Sequence, residues 1–331
     1  MMQKASVLRV ERPRRTGTGV RGRFQFAYFA ALTVVLTYGL IVLGGTVRAT
    51  DSGTACPDWP LCHGRALPRI EEHVLIEYSH RLVASIVGLF IIAMVIWAWR
   101  RASADPLVRG ATILAIVLLV LQVLVGAAAV NTETDASVVA LHLSIALTLF
   151  ATLITVALAA SGERAVAGGR LPLLMIAVAL GAFALVISGA YVSQEGAGLS
   201  YPDWPLFDGK LTPSGGRLGD LHYLHRILAG GLGFLLLWLT VATWRNERRP
   251  AVRGAVALAV VVYVVQVLAG AGNIWFELPT WLRIVHLALA SALWAVLVFA
   301  AAWCYLRPAA DAEFALRRDP GQALRRGSGQ A

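Results

Sequence analysis

The chain has 331 residues, 58% of them hydrophobic and 15% charged, with a mean hydropathy of +0.68. A soluble domain is about 45–50% apolar and about 25% charged. These proportions therefore exclude a disordered protein, a disulfide-stapled secreted scaffold and a conventional soluble enzyme, and indicate a polytopic membrane protein. The formal net charge of +10 follows from where the charges sit along the chain.

Eight apolar runs are long enough to cross a ~30 Å hydrocarbon core as helices. They lie at 26–47, 75–99, 109–130, 137–160, 171–193, 219–244, 252–273 and 281–306. None alternates as a barrel strand would, and helices satisfy their own backbone hydrogen bonds in lipid. The first run ends in Gly44-Gly45-Thr46-Val47-Arg48 without a small-residue cleavage pattern, so it reads as a retained span. The polar tails Met1–Gly22 and Asp311–Ala331 read as flexible.

The N-terminal tail, the even-numbered loops and the C-terminal tail hold 21 of the 29 Lys/Arg and 7 of the 19 acids. Basic residues mark the cytoplasmic side. Both termini are expected there, in a multi-pass protein of the plasma membrane whose odd-numbered loops face outward. The positive charge is matched to anionic membrane lipid, and no nucleic-acid footprint is expected.

The outward loops repeat. Pro57-Asp58-Trp59-Pro60-Leu61 returns as Pro202-Asp203-Trp204-Pro205-Leu206, and His80-Arg81 as His225-Arg226, both shifted by 145. Gln122 returns as Gln266 and His142 as His286, shifted by 144. Each unit has four spans, so the two share an orientation, as in a parallel repeat. The expected fold is an all-α integral membrane protein, with eight transmembrane helices in two parallel-repeat four-helix bundles. Its parts are a basic tail 1–25, a first bundle 26–160, a connector 161–170, a second bundle 171–306 and a tail 307–331.

Histidines open the second and fourth spans of each unit: His80 with His142, and His225 with His286. Imidazoles on helices that enter from one side can face each other at similar depth. A haem iron takes two axial nitrogens, and facing bundle helices can supply them. Zinc is an alternative, on Glu77, His80 and His142 or on His222, His225 and His286 with water as fourth ligand. A transporter would gather its polar residues near the midplane, whereas these crowd the outer end. His63 and His73, in the first outward loop, read as solvated or structural. Arg81 and Arg226 follow the paired histidines, and Arg48 and Arg217 sit at outer helix ends. All four are candidates for haem propionates, with snorkelling to lipid phosphate as the alternative. Trp59 and Trp204 belong at the headgroup level.

The units differ at two places. Glu77 lies one turn before His80, where the second unit has His222. Residues three apart share a helix face, so Glu77 can exchange protons in the space His80 faces. Cys56 and Cys62 correspond to Tyr201 and Phe207. Five residues separate the cysteines on the oxidising side, which admits a disulfide, either structural or redox-active. Cys304 reads as an apolar packing residue.

Glu77-Tyr78-Ser79-His80-Arg81, the Gly44–Arg48 segment, the Cys56/Cys62 loop and the duplicated histidines together resemble the haem A synthase family, from about Phe24 to Leu306. The resemblance implies an oxidoreductase of cytochrome oxidase biogenesis. Such an enzyme oxidises the C8 methyl of haem O to a formyl group by two hydroxylations, giving haem A. It implies a resident haem b on His225 and His286, and substrate haem O near His80 and His142. Glu77 would be the catalytic carboxylate, and Cys56 and Cys62 would take part in transfer of reducing equivalents. It also implies haem O synthase and an unidentified electron donor as partners, and leaves a homo-oligomer open. The rival is a dihaem b-type electron-transfer cytochrome, against which Glu77 argues because it breaks the repeat.

Overall fold

The computed structural model describes residues 18–69, 71–102, 105–161, 164–166, 170–213 and 215–308. Eight helices follow in order: α1 (Thr18–Ala49), α2 (Glu72–Trp97), α3 (Pro106–Asn131), α4 (Ala136–Ala160), α5 (Arg170–Gln194), α6 (Arg217–Asn246), α7 (Pro250–Trp275) and α8 (Thr280–Tyr305). Each contains a stretch long and apolar enough to cross a membrane, so the chain is an all-α multi-pass membrane protein. A π-helical turn (Ala98–Ala102) prolongs α2.

The apolar runs set the helices, and local chemistry sets their ends. Asp105 accepts a hydrogen bond from the Leu107 amide, with Pro106 opening α3. Asp135 accepts from the Ser137 and Val138 amides at the start of α4. Both occupy unsatisfied first-turn donors. Inside α1, Thr33 and Thr37 donate back to Phe29 O and Thr33 O, which satisfies their hydroxyls where no water is available.

Two departures from the sequence reading concern edges. α1 begins at Thr18, inside the stretch read as tail, and the connector contributes a strand, β1 (Arg164–Val166). That strand pairs antiparallel with β2 (Leu306–Pro308), directly after α8. The remaining tail residues, 1–17 and 309–331, lie outside the described residues.

In the first half α1 packs on α2 and α4, and α3 on α4. The same pairs recur four helices later, with α5 on α6 and α8, and α7 on α8. Contacts of α1 with α8, and of α4 with α5 and α8, join the halves. A Cβ at Gly45 would strike the Leu287 side chain, so α1 and α8 pass closely there. Tyr38 and Trp294 tie the halves by donating to Ala288 O and Leu147 O. One core gathers Phe26, Ile91, Met94 and Leu153, and the other Leu147, Met175, Leu236 and Leu297.

At the end carrying the basic turns, Glu247 accepts from the Arg249 guanidinium, which also donates to Trp303 O on α8. Burial pushes this carboxyl up, but the Arg249 side chain and amide outweigh it and hold it at about 2. The α6–α7 turn is thereby locked to the end of α8.

Candidate functional site

The opposite end carries the two long loops, and they fold alike. Asp58 accepts from the His63 and Gly64 amides, and Asp203 from the Asp208 and Gly209 amides. In each loop the residue before the glycine also has positive φ, at His63 and Asp208, where an aspartate-capped turn leaves little alternative. Isolated bridges close both turns, Cys62 with Arg65 and Phe207 with Lys210. Each loop then folds back onto the first turns of the following helix.

Arginines hold that fold-back. Arg81 donates to Cys56 O, Asp58 O and Leu61 O. Arg226 donates to Tyr201 O and Leu206 O. Guanidiniums expected at haem propionates are thus engaged as staples for loop carbonyls. Arg48 pairs with Asp51 and donates to Ser193 O across the halves, and Arg217 pairs with Glu195. Arg283 has no counterpart in the repeat and no motif around it. It donates to Ala49 O and so helps Arg48 seal the junction.

Cys56 and Cys62 form a disulfide with Cα atoms 4.7 Å apart. Glu77 lies directly beneath it, 4% exposed. Its Oε2 accepts from the Cys56 amide at 2.7 Å, and its Oε1 pairs with Arg81. In the second half Tyr201 and Phe207 meet edge to face at a centroid distance of 5.2 Å. His222 takes the place of Glu77, and its Nε2 accepts from Arg226 Nε at 3.0 Å. His63 and His73 are structural: the His63 ring meets Ala55 O, and the His73 ring meets the buried Ser52 hydroxyl. Cys304 is buried at the other end of the molecule.

The four paired histidines lie just below these caps. His80 and His142 stand near the starts of α2 and α4, and His225 and His286 near the starts of α6 and α8. Each ring is seated against a glycine of the preceding helix. A Cβ at Gly44, Gly126, Gly189 or Gly270 would lie 3.0 Å from Cε1 of His80, His142, His225 or His286 respectively. Those glycines obey the same 145 and 144 offsets, a signal available in the sequence but not read from it. Gln122 and Gln266, one turn before Gly126 and Gly270, reach Nε2 of His142 and His286. The Nδ1 atoms of His80, His142 and His286 are buried without a hydrogen-bond partner.

Four imidazoles paired at the same end of the two halves, three of them with a buried nitrogen that the protein leaves unpartnered, require explanation in a native structure, and a prosthetic group held between each pair supplies one. Two imidazoles per half suit an iron that takes two axial nitrogens. The glycines leave the rings room to settle between helices. The zinc alternative gains nothing, because among the described residues no three His, Cys, Asp or Glu side chains gather as a metal site.

The cytochrome oxidase assembly protein family matches residues 27–298. A heme A synthase of Exiguobacterium sibiricum is 31% identical over 283 residues, covering 83% of this chain and 93% of the relative. One from another Exiguobacterium is 29% identical over 282 residues, covering 83% and 92%. One from Listeria welshimeri is 28% identical over 296 residues, covering 84% and 93%. The family match spans both loops and all four histidine-bearing helix ends, and the chain belongs to the cytochrome oxidase assembly protein family.

Proposed function

We propose that this protein is a haem A synthase, converting the C8 methyl group of haem O to a formyl group. The observation that carries the reading is the duplicated pair of glycine-seated histidines, capped in one half alone by a carboxylate and a disulfide. In this reading 26–160 and 171–306 are two four-helix units, the first taking substrate at His80 and His142. The second holds a resident haem b at His225 and His286. That group would supply one-electron transfer when bound. The protein lies in the plasma membrane with both termini cytoplasmic. It receives haem O from a haem O synthase and electrons from a donor of another kind.

The residues divide the work. Arg81 and the Cys56 amide fix the Glu77 carboxylate over the first histidine pair. Each of two hydroxylations would insert one oxygen atom of dioxygen into a C–H bond of the methyl group, while two electrons and two protons reduce the other oxygen atom to water. The resulting geminal diol loses water to give the formyl group, and the Glu77 carboxylate passes the protons. The loop above it excludes water from that space and keeps the carboxylate next to the disulfide, where reducing equivalents can be exchanged. In the second unit His222 and two aromatic rings fill the same volume, which suits a site that retains its group. A plain electron-transfer cytochrome would have no use for a carboxylate wired into one cap and absent from the other.

Haem extraction and chromatography tests this directly, on cells expressing the protein together with a source of haem O. Haem A is expected in the extract. A red purified protein with only haem B and haem O in the extract would overturn the proposal in favour of the electron-transfer cytochrome.

A further inference from the structure

His80 and His225 occupy equivalent positions, seated on equivalent glycines, yet their rings are not held alike. Ser188, beside Gly189 on α5, places its Oγ 2.8 Å from His225 Nδ1. The same Oγ lies 2.7 Å from Leu185 O. A serine hydroxyl has a single hydrogen. Both contacts are hydrogen bonds together only if that hydrogen goes to Leu185 O, which can only accept, and Oγ accepts from Nδ1–H of His225. The bond therefore selects one tautomer, with the proton on Nδ1 and the lone pair on Nε2.

The counterpart of Ser188, 145 residues earlier, is Leu43. It has no hydroxyl, and Nδ1 of His80 is buried without a partner. The fourth-span histidines keep the same side-chain partner type, with Gln122 and Gln266 reaching Nε2 of His142 and His286. The polar surroundings of the imidazoles thus break the repeat at Ser188 and Leu43.

We infer that Ser188 is a positioning residue that locks His225 as a permanent iron ligand, and that Leu43 leaves His80 unlocked for a group that must enter and leave. The inference rests on the reading of His225 as a ligand of the resident haem. A ligating imidazole whose second nitrogen is hydrogen-bonded is fixed in rotation and more basic, and so holds its metal harder. A resident group benefits from that at all times. A substrate released at every turnover does not, and a ring without the bond gives it up more readily.

The test uses the purified holoprotein and the variants Ser188→Ala, Ser188→Thr and His225→Ala. Three quantities are measured: haem b per protein, the rate of haem loss to excess apomyoglobin, and the midpoint potential of the bound haem. Ser188→Ala is expected to weaken haem retention about 10–100-fold and to raise the midpoint potential, because the ligand becomes less basic. Ser188→Thr keeps a hydroxyl and is expected to restore both values toward those of the wild type. Unchanged loss rate and potential in Ser188→Ala, with haem lost from His225→Ala, would overturn the role of Ser188 alone. Equal impairment in the alanine and threonine variants would also overturn it, by pointing to packing. Full haem retention in His225→Ala would instead overturn the underlying assignment of the second unit.

Discussion

Arg81 and Arg226 do the same task in the two halves, each collecting carbonyls from the loop before its helix. Asp58 and Asp203 close the same turn. What lies between arginine and turn differs throughout. In the first half it is a disulfide resting on a carboxylate; in the second it is an aromatic pair resting on an imidazole. Sizes compensate as well: Val74 packs against the cysteines, while its counterpart Gly219 lets the Tyr201 hydroxyl come within 2.6 Å of where a Cβ would be. Duplication kept the backbone device and exchanged its filling. One cap holds a disulfide over an ion-paired carboxylate, and the other packs aromatic rings over an imidazole.

The largest effect expected from breaking that difference is on turnover. Glu77→Gln keeps the shape of the side chain but removes its charge, and with it the ion pair to Arg81. A loss of about 10²–10⁴-fold in haem A formation is expected, with haem content of the purified protein unchanged. Haem A formation at the wild-type rate would show that the carboxylate serves only to fold the cap. In the second half His222→Ala is expected to spare far more of the activity, since nothing there calls for proton exchange.

Stability reverses the ranking of the two caps. Phe207 is 6% exposed and makes edge contacts with Tyr201 and Tyr223. Phe207→Ala leaves a cavity and is expected to cost about 3–5 kcal/mol. The disulfide closes a short loop, and replacing both cysteines by serine is expected to cost about 2 kcal/mol. Thermal unfolding in detergent checks the order. A larger loss from the cysteine variant would mean that the disulfide, and not the packing, is what holds a cap in place.

The glycine seats come next, and they should act alike in both units. An added methyl 3.0 Å from an imidazole carbon forces the ring to shift, and overpacking of this kind costs about 1–3 kcal/mol. Gly44→Ala is expected to weaken substrate turnover, and Gly189→Ala to weaken retention of haem b, read by absorbance against protein. Gly230→Ala, where nothing lies within 4 Å, is the control and should change neither.

Most of the architecture was legible in the sequence, because lipid makes helix formation and hydropathy nearly the same question. Seven of the eight helices begin and end within three residues of the apolar runs, and α1 begins eight residues early. The histidines, Glu77 and the cysteines stood out because the repeat supplied its own comparison. What was not legible depended on helix rotation or on distant chain. Gly44, Gly126, Gly189 and Gly270 recur at the right offsets, but a glycine in an apolar span says nothing of which side chain it faces. Ser188 and Leu43 could have been aligned with equal ease, yet their contrast has meaning only once His225 is seen to reach Ser188. Arg81 and Arg226 are adjacent to the histidines in sequence, while their partners come from loops some 20 residues earlier that fold back over them. The strand pair joining 164–166 to 306–308 has no local pattern at all.

The smallest expected effect tests what the two caps share. The Gly64 amide, followed by that of His63, holds the exposed Asp58 carboxylate below its ordinary value. The Gly209 amide, followed by that of Asp208, does the same for Asp203. A carboxyl whose folded pKa is depressed adds stability that is fully present above its unfolded pKa of about 3.9 and is lost as pH falls through the folded value. Asp58→Ala and Asp203→Ala are therefore expected to lower the melting temperature slightly at neutral pH, and by similar amounts. In both cases the gap to the wild type should narrow as pH falls below ~4. The turn is common to both halves, so the two pH profiles should coincide even though the fillings beneath them differ. A profile that departs from its twin only for Asp58 would mean that the turn depends on the filling beneath it and is not a device common to both caps.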